Sequence, residues 1–266
     1  SPSFEVAPAQ SVVPVASSVP EPPRPVDSAD SAAEAAEPPA PSVGVPSDSL
    51  QAVVVATETW KDYTGSLQRF ERESPKSAWS KVGEPNDVVV GRYGMAWGRG
   101  LHPSVVSSLQ KVERDLRSPA GIFDLGEARG YASSPPDGTS WPYQSSGPSW
   151  RCVDQPYSPA YNSFAPTDSL FADPAAKVPG AIRRETVFEL LVFVKHNTDP
   201  VVRGAGSCIL LHVWSSPGSP THGCTAMQVE HLKTLVAWLK PQNHPVLVQA
   251  PIEAIEEHGI EWGIPR

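Results

Sequence analysis

The sequence predicts a mainly β domain, built from two packed or mixed sheets with one main helix and preceded by a disordered tail. Three observations support this fold class. Prolines are concentrated at the N-terminus, where the first 50 of 266 residues hold 11 of the 31 prolines. Runs of β-branched residues typical of strands follow this segment. Helical periodicity is restricted to two stretches.

The tail consists mainly of Pro, Ala, Ser, Val and Glu. Such a composition cannot bury enough apolar surface to offset the entropy lost on ordering, and prolines favour extended conformers. The tail holds seven of the 29 acidic residues and one of the 21 basic residues, so most of the net charge of −8 belongs to it. We interpret 1–50 as a Pro/Ala/Ser-rich linker and 51–266 as the folded domain. A tether to the cell envelope and an idle tail both fit the linker.

Six segments of the domain predict strands. Three consecutive valines predict a strand at 52–57, and the glycine in 62–70 predicts a hairpin turn into a second strand. A third strand, at 88–90, is followed by closely spaced glycines that end it. The remaining strands are predicted from apolar and β-branched runs at 186–194, 207–214 and 245–249.

Helices are predicted at 105–116 and at 227–240. The second is the better marked, because its apolar residues recur at helical spacing on one stripe, formed by Met227, Leu232, Leu235, Val236 and Leu239. The region 118–185 is rich in Pro, Ser, Gly and Tyr and shows little periodicity. Because a structureless loop of this length is uncommon in a compact domain, we expect short strands and turns there.

Composition excludes several classes of protein. No apolar run approaches the length of about 18 residues that a membrane-spanning helix requires. The sequence pI of about 5.4 and the lack of a basic stripe argue against nucleic-acid binding. The chain begins with Ser1 rather than methionine, so removal of a signal peptide is neither shown nor excluded by the sequence.

The strongest candidate for chemistry is Cys224, which lies in a glycine turn directly before the predicted helix at 227–240. A helix N-terminus lowers the pKa of a thiol and favours the nucleophilic thiolate. The backbone N–H groups of Gly223 and Cys224 are candidate donors to a developing oxyanion. His212 ends a predicted strand twelve residues earlier, and His222 is two residues from the cysteine. This order of groups suits a Cys–His acyl-transfer enzyme.

Other interpretations of these residues remain open. A lone cysteine is often a small core residue rather than a nucleophile. A metal site of His212, His222 and Cys224 is conceivable by residue type, but no carboxylate or second cysteine completes it. Because CxxC, GxGxxG and P-loop motifs are missing from the sequence, we expect neither a metal nor a cofactor. Structural positions suit four further histidines, His102, His196, His231 and His244.

The turn at 221–224, Thr-His-Gly-Cys, with a histidine on an upstream strand, resembles the catalytic domain of the L,D-transpeptidases (YkuD type). The ending Gly-Cys-Thr-Ala-Met is similar to that of one bacterial branch of this family. The likeness covers roughly residues 50 to 255 and includes shorter similar stretches at 91–98, 117–123, 153–158, 161–162 and 204–207.

The resemblance implies a YkuD-like mixed β-sandwich whose main helix follows the catalytic cysteine. It implies that Cys224 attacks a peptide carbonyl in a peptidoglycan stem peptide, with His212 as general base and later acid. The thioester would then pass to the amine of a second stem peptide, or to water. On the same resemblance we expect stem peptides as partners, and a substrate site lined by Trp214, Ser215, Thr221, Tyr93 and Trp97.

The sequence departs from the family pattern in ways that bear on its reaction. The family has an arginine two residues after the cysteine, and here that residue is Ala226. Val213 follows the histidine, where family members commonly have glycine. Candidate replacements for the arginine are Lys111, Arg114 and Arg117. An L,D-carboxypeptidase or endopeptidase with the same dyad, and a non-catalytic wall-binding domain, are therefore alternative functions.

The other two cysteines, Cys152 and Cys208, admit two interpretations. A disulfide between them would leave Cys224 as the free thiol and would suit an oxidising compartment. Two unpaired buried thiols explain the sequence equally well.

Overall fold

A computed structural model describes residues 44–146, 150–166 and 186–266. The tail was predicted to be disordered, and its residues 1–43 lie outside the described part of the chain. The folded unit also includes residues 44–50, ahead of the expected boundary at 51. The backbone N–H of Val45 donates to the carbonyl of Trp262 at 2.8 Å, and that of Leu50 donates to Asn243 at 2.8 Å.

The described residues form twelve strands, two α-helices and two short 3₁₀ turns. The strands are β1 Gln51–Thr57, β2 Thr64–Glu71, β3 Ser80–Val89, β4 Met95–Trp97, β5 Ser118–Gly130, β6 Tyr143–Ser145, β7 Trp150–Cys152, β8 Phe164–Pro166, β9 Leu190–Val194, β10 Leu210–Val213, β11 Thr225–Met227 and β12 Val246–Pro251. The helices are α1 Val229–Trp238 and α2 Ile252–His258, and the 3₁₀ turns are Thr186–Phe188 and Pro241–Asn243. The content is mainly β, as predicted.

Ten strands form one mixed sheet, with the order β12-β1-β2-β3-β11-β10-β9-β5-β4, and β6 also pairs with β5. The 13-residue strand β5 pairs with β12 through its first half and with β9 through its second half. The sheet therefore closes around a single core, and β5 joins its two ends. This arrangement agrees with the predicted YkuD-like mixed β-sandwich.

The core is filled by alternating residues of the strands and by one face of α1. Fully buried side chains from the strands include Val53, Val55, Phe123 and Leu247. The helix α1 contributes Leu232, Leu235 and Val236, followed by Leu239, all of which belong to the predicted stripe. The main helix is confirmed at Val229–Trp238, but Met227, which was predicted to lie on its apolar stripe, belongs to strand β11. The short helix α2 was not predicted from the sequence.

The helix predicted at 105–116 is wrong. This segment is an irregular loop that pairs with β4, with the N–H of Trp97 donating to Leu109 and the N–H of Lys111 donating to Trp97. Its apolar residues do not share a buried face, since Val106 is fully exposed. Arg114 adopts a left-handed φ of 62°, which a helix does not permit.

The region 118–185 is more regular at its start than predicted. Its first 13 residues form the central strand β5, which the prediction of short strands missed. Pro119, Gly121 and Gly126 lie inside this strand and are typical of turns. Gly121 is required there, because its φ is +140° and an added Cβ would lie 2.0 Å from the ring of His102. The short strands expected later are present as β6, β7 and β8.

Strands β7 and β8 form a separate two-stranded sheet. A disulfide joins Cys152, at the end of β7, to Cys208, two residues before β10. The bridge settles the open question about these cysteines. It leaves Cys224 as the free cysteine among the three of the chain.

Candidate active site

The candidate site lies on the parallel pair formed by β10 and β11. Leu211 is paired with Thr225 and His212 with Ala226. Cys224 lies one residue before β11, and its thiol is beside the N–H of Leu210, the first residue of β10. His212 follows Leu210 by two residues on the same strand. The structure thus places the predicted nucleophile beside the strand that carries the predicted base.

Two hydroxyl groups fix the turn that presents Cys224. The Thr221 hydroxyl donates to the carbonyl of Cys224 at 2.6 Å and accepts the N–H of Gly223 at 3.0 Å. The buried Ser118 hydroxyl donates to the same Cys224 carbonyl at 3.0 Å. Thr221 was predicted to line the substrate site, and Ser118 was not predicted as a site residue. Both are positioning residues for the cysteine.

Gly223 is required at the centre of this turn. Its φ is +141°, and an added Cβ would lie 3.1 Å from the carbonyl oxygen of Arg117. Its N–H is already donated to Thr221, which removes it from the set of candidate oxyanion donors. The N–H of Cys224 itself remains as the candidate donor beside the thiol.

The Cys224 residue is half-buried, and its thiol is protonated near pH 7. Its Sγ donates to the carbonyl oxygen of Cys208 at 3.5 Å. Burial raises the pKa of the thiol to about 11, against the opposing effects of the Leu210 N–H and the Lys111 ammonium. The expectation that a helix N-terminus activates this cysteine is wrong, because β11 intervenes and α1 begins only at Val229.

His212 is buried and faces two backbone carbonyl groups. Its Nδ1 lies 2.7 Å from the carbonyl oxygen of Val213. Burial lowers the pKa of the imidazole, while hydrogen bonding with the backbone of Val213 and Val187 partly opposes this shift. The Phe188 ring packs against the imidazole at 5.3 Å between centroids. The ring is therefore neutral near pH 7 and makes no hydrogen bond to Cys224.

Four other predicted site residues lie either beside the cysteine turn or directly after β10. Tyr93 and His222 are exposed next to the cysteine turn, to which the neighbouring Arg92 is joined by an N–H···O bond to Thr221 of 3.0 Å. Trp214 is half-buried and Ser215 is exposed, both directly after β10.

Trp97 lies in the core and not on this face. It is 5% exposed and packs against the rings of Trp60, His102, His258 and Trp262. This burial leaves little of the Trp97 side chain for contact with a substrate.

Ala226 stands where the family has an arginine, and this residue is part of the core. Ala226 is fully buried between β10 and β3, opposite His212 and Val89. Of the three candidate replacements, Arg114 is exposed, and Arg117 donates through Nη1 to the carbonyls of Tyr93 and Met95. Lys111 is buried and forms an ion pair with Asp115 at 2.6 Å.

Asn162 is a further residue of the site whose role the sequence did not indicate. It is 4% exposed, and its Nδ2 donates to the carbonyls of His196 and Asn197, each at 2.8 Å. Its Oδ1 accepts the N–H of Cys208 at 2.8 Å. Asn162 therefore holds the segment whose carbonyl contacts the Cys224 thiol. Asn162 belongs to the stretch 161–162, which resembles the family, but that resemblance assigned it no role.

Within the described residues, no group of three or more His, Cys, Asp or Glu side chains could hold a metal ion. No helix in these parts of the chain is long and apolar enough to cross a membrane.

Comparison with known proteins gave one result. The family model of the L,D-transpeptidase catalytic domain, YkuD, matches residues 81–248, which is more than half of the chain. The searches of curated proteins and of solved structures gave no match. The matched range includes β10, β11 and the turn that carries Cys224.

Proposed function

Because the chain belongs to the YkuD family of L,D-transpeptidase catalytic domains, we propose that it cross-links peptidoglycan stem peptides through a thioester on Cys224, with His212 as general base. The observation that carries the proposal is the position of the free cysteine directly before β11, beside the paired strand β10 that carries His212. The family match supports L,D-transpeptidase function in general, and the assignment of roles to these two residues is our inference.

In the first step, the Cys224 sulfur attacks the peptide carbonyl that follows an L-configured centre in the donor stem peptide. The thiol proton passes to His212, whose positive charge the carbonyls of Val213 and Val187 stabilise. The N–H of Cys224 donates to the oxyanion that forms. The tetrahedral intermediate collapses, the C–N bond breaks, and the leaving amine takes the proton from His212. A thioester remains on the sulfur.

In the second step, an amine of an acceptor stem peptide attacks the thioester. His212 removes a proton from this amine, a new peptide bond forms, and the Cys224 thiol is regenerated. If water attacks instead, the product is a shortened stem peptide. The choice between these acceptors separates the transpeptidase from the L,D-carboxypeptidase or endopeptidase.

The thiol must leave its resting contact before it reacts. In the resting arrangement it donates to Cys208, and burial holds its pKa well above neutral. Proton transfer to His212 requires the side chain to turn from that carbonyl toward the imidazole of His212. We propose that a bound donor peptide favours this rotation, so that the nucleophile forms only when substrate is present.

The proposed setting is the periplasm or the cell surface. The Cys152–Cys208 disulfide supports this setting, because structural disulfides persist in oxidising compartments. There the Pro-rich tail would act as a tether to the envelope, and the partners would be stem peptides rather than nucleic acid.

The test is incubation of purified tetrapeptide muropeptides with the full chain and with Cys224→Ala, followed by mass spectrometry. We expect cross-linked dimers with the native protein and none with the variant. Shortened monomers in place of dimers would establish an L,D-peptidase. The absence of any product, together with retained binding to wall material by both proteins, would contradict the enzyme and favour a wall-binding domain.

A further inference from the structure

Lys111 is a buried lysine that the proposed chemistry does not use. Its side chain is 4% exposed, and its Nζ lies 2.6 Å from Oδ1 of Asp115 and 2.8 Å from the carbonyl oxygen of Val112. Removing an ammonium group from water costs several kcal/mol unless it is paired and hydrogen-bonded. A buried lysine at this position therefore calls for a reason beyond the packing of a loop.

The stem of Lys111 packs against one segment that contacts the cysteine. A Cβ at Gly206 would lie 3.1 Å from Cγ of Lys111 and 3.2 Å from its Cε. Two residues beyond Gly206, the carbonyl oxygen of Cys208 accepts the Cys224 thiol. The Lys111 side chain is therefore adjacent to the segment 206–208, whose carbonyl at Cys208 accepts the hydrogen bond from the thiol.

Asp115, the ion-pair partner of Lys111, is hydrogen-bonded to a second segment that contacts Cys224, at residues 117–118. Its Oδ1 accepts the N–H of Arg117 at 2.9 Å. The next residue, Ser118, donates its hydroxyl to the carbonyl of Cys224. The Lys111–Asp115 pair therefore lies between the two segments that contact Cys224 on either side.

Among the described titratable groups around the Cys224 thiol, Lys111 is the one that is both buried and positively charged. His212 faces backbone carbonyls, and burial lowers the pKa of His196 to about 3, so both rings are neutral near pH 7. His222 is exposed, and Arg117 is directed to the carbonyls of Tyr93 and Met95. The acidic groups are Asp115, bound to Lys111, and Glu113, bonded to Tyr161 and Ser207.

We propose that the Lys111 ammonium, held in place by Asp115, stabilises the negative charge that develops on Cys224 when the thiol loses its proton. It does so through its field across the 206–208 segment, without touching the substrate. The electrostatic effect of Lys111 on the Cys224 thiol has the sign that this role requires. The inference rests on the proposed role of Cys224 as nucleophile and extends it to the group that supports the thiolate.

The test measures the rate at which the Cys224 thiol is alkylated. Cys224 is the free thiol of the chain, so iodoacetamide reports on it alone while the disulfide is intact. Alkylation rates of the native full chain between pH 7 and 11 are compared with those of Lys111→Met, Lys111→Arg and Lys233→Met. Lys233 is the matched control, since it forms an exposed ion pair with Glu230.

We expect Lys111→Met to slow alkylation about tenfold throughout pH 7 to 10, because a higher pKa of the Cys224 thiol leaves less thiolate at each pH. Lys111→Arg keeps the charge and should stay within about twofold of the native rate, as should Lys233→Met. Equal profiles for the native protein and Lys111→Met would overturn the proposal. It would also be overturned if Lys111→Arg slowed alkylation as much as Lys111→Met, because packing and not charge would then be responsible.

Asp115→Asn gives an independent test of opposite sign, should Lys111→Met fail to fold. The amide oxygen can still accept the Arg117 N–H, while the negative charge beside Lys111 is lost. We expect faster alkylation throughout pH 7 to 10; an unchanged or slower rate would overturn the proposal. These measurements do not depend on turnover, so a failed muropeptide assay leaves their outcome intact.

Discussion

The thiol of Cys224 donates to the carbonyl oxygen of Cys208, and Cys208 is itself joined to Cys152. The resting position of the proposed nucleophile is therefore set by a residue that a disulfide holds to the β7–β8 sheet. Asn162, from the same part of the chain, fixes the N–H of Cys208 at 2.8 Å. The bridge acts on the site as well as on the fold.

Removal of the bridge should destabilise the domain. The Cys152→Ala/Cys208→Ala variant opens a loop with a sequence separation of 56 residues, and chain entropy predicts a loss of about 4 kcal/mol in the free energy of unfolding. Urea denaturation, monitored by tryptophan fluorescence, measures this loss. Cys224→Ala is the matched control and should change stability by less than about 1 kcal/mol. Equal midpoints for the bridged and unbridged proteins would count against the prediction.

Loss of the Thr221 hydroxyl should disorder the cysteine turn. Thr221→Val removes the bonds to the Gly223 N–H and the Cys224 carbonyl while keeping the shape of the side chain. We expect a loss of about 1–3 kcal/mol in the free energy of unfolding, because buried polar groups lose their partners. Thr221→Ser retains the hydroxyl and should stay close to the native protein. Thermal unfolding of the two variants distinguishes them, and similar losses in both would refute a hydrogen-bonding role.

His212 and His222 should differ sharply in their effect on turnover. His212→Gln removes the proposed base and should reduce the rate of dimer formation from muropeptides by about 10²–10⁴-fold. His222→Gln changes an exposed side chain and should cost less than about tenfold. Time courses of dimer formation by mass spectrometry compare the two. A larger loss with His222→Gln would exchange the roles assigned to these residues.

Two buried histidines outside the site should make the fold sensitive to acid. Burial lowers the pKa of His102 to about 4 and that of His196 to about 3, from an ordinary value of 6.5. Their contribution to stability is therefore complete above pH 6.5 and is lost as the pH falls toward 4, since the unfolded chain binds protons first. At pH 5 we expect each to reduce the free energy of unfolding by about 2 kcal/mol.

Urea denaturation at pH 5 and pH 7 measures this dependence. His102→Phe removes one titrating group and should reduce the difference between the two pH values. His222→Gln, at an exposed position, is the control and should leave the difference unchanged. The prediction is wrong if His102→Phe keeps the full native difference.

Local patterns predicted the parts of the fold that depend on neighbouring residues. The valine run of β1 and the apolar stripe of α1 are repeated features of short segments, and both elements were placed correctly. Strand β5 was missed because Pro119 and Gly121 are typical of turns, and only its pairing with distant strands accommodates them. Likewise, the helix at 105–116 was predicted wrongly because Arg114 adopts a left-handed conformation at a position where no glycine indicates one.

The candidate site divides in the same way. Cys224 and His212 were predicted because the turn and its upstream strand lie within one short segment. The groups that hold them come from far along the chain, since Ser118 reaches the Cys224 carbonyl across 106 positions and Asn162 reaches the Cys208 N–H across 46. No spacing in the sequence encodes such contacts. They arise only when the sheet closes.

The closure through β5 bears on how the domain comes apart. This one strand is hydrogen-bonded to β4, β6, β9 and β12, so the two ends of the sheet cannot separate while it stays in place. The backbone amides of β5 should consequently be among the last to exchange with deuterated solvent, and only through complete unfolding. The scaffold of β10 and β11 would then open with the whole sheet or not at all, as one cooperative unit.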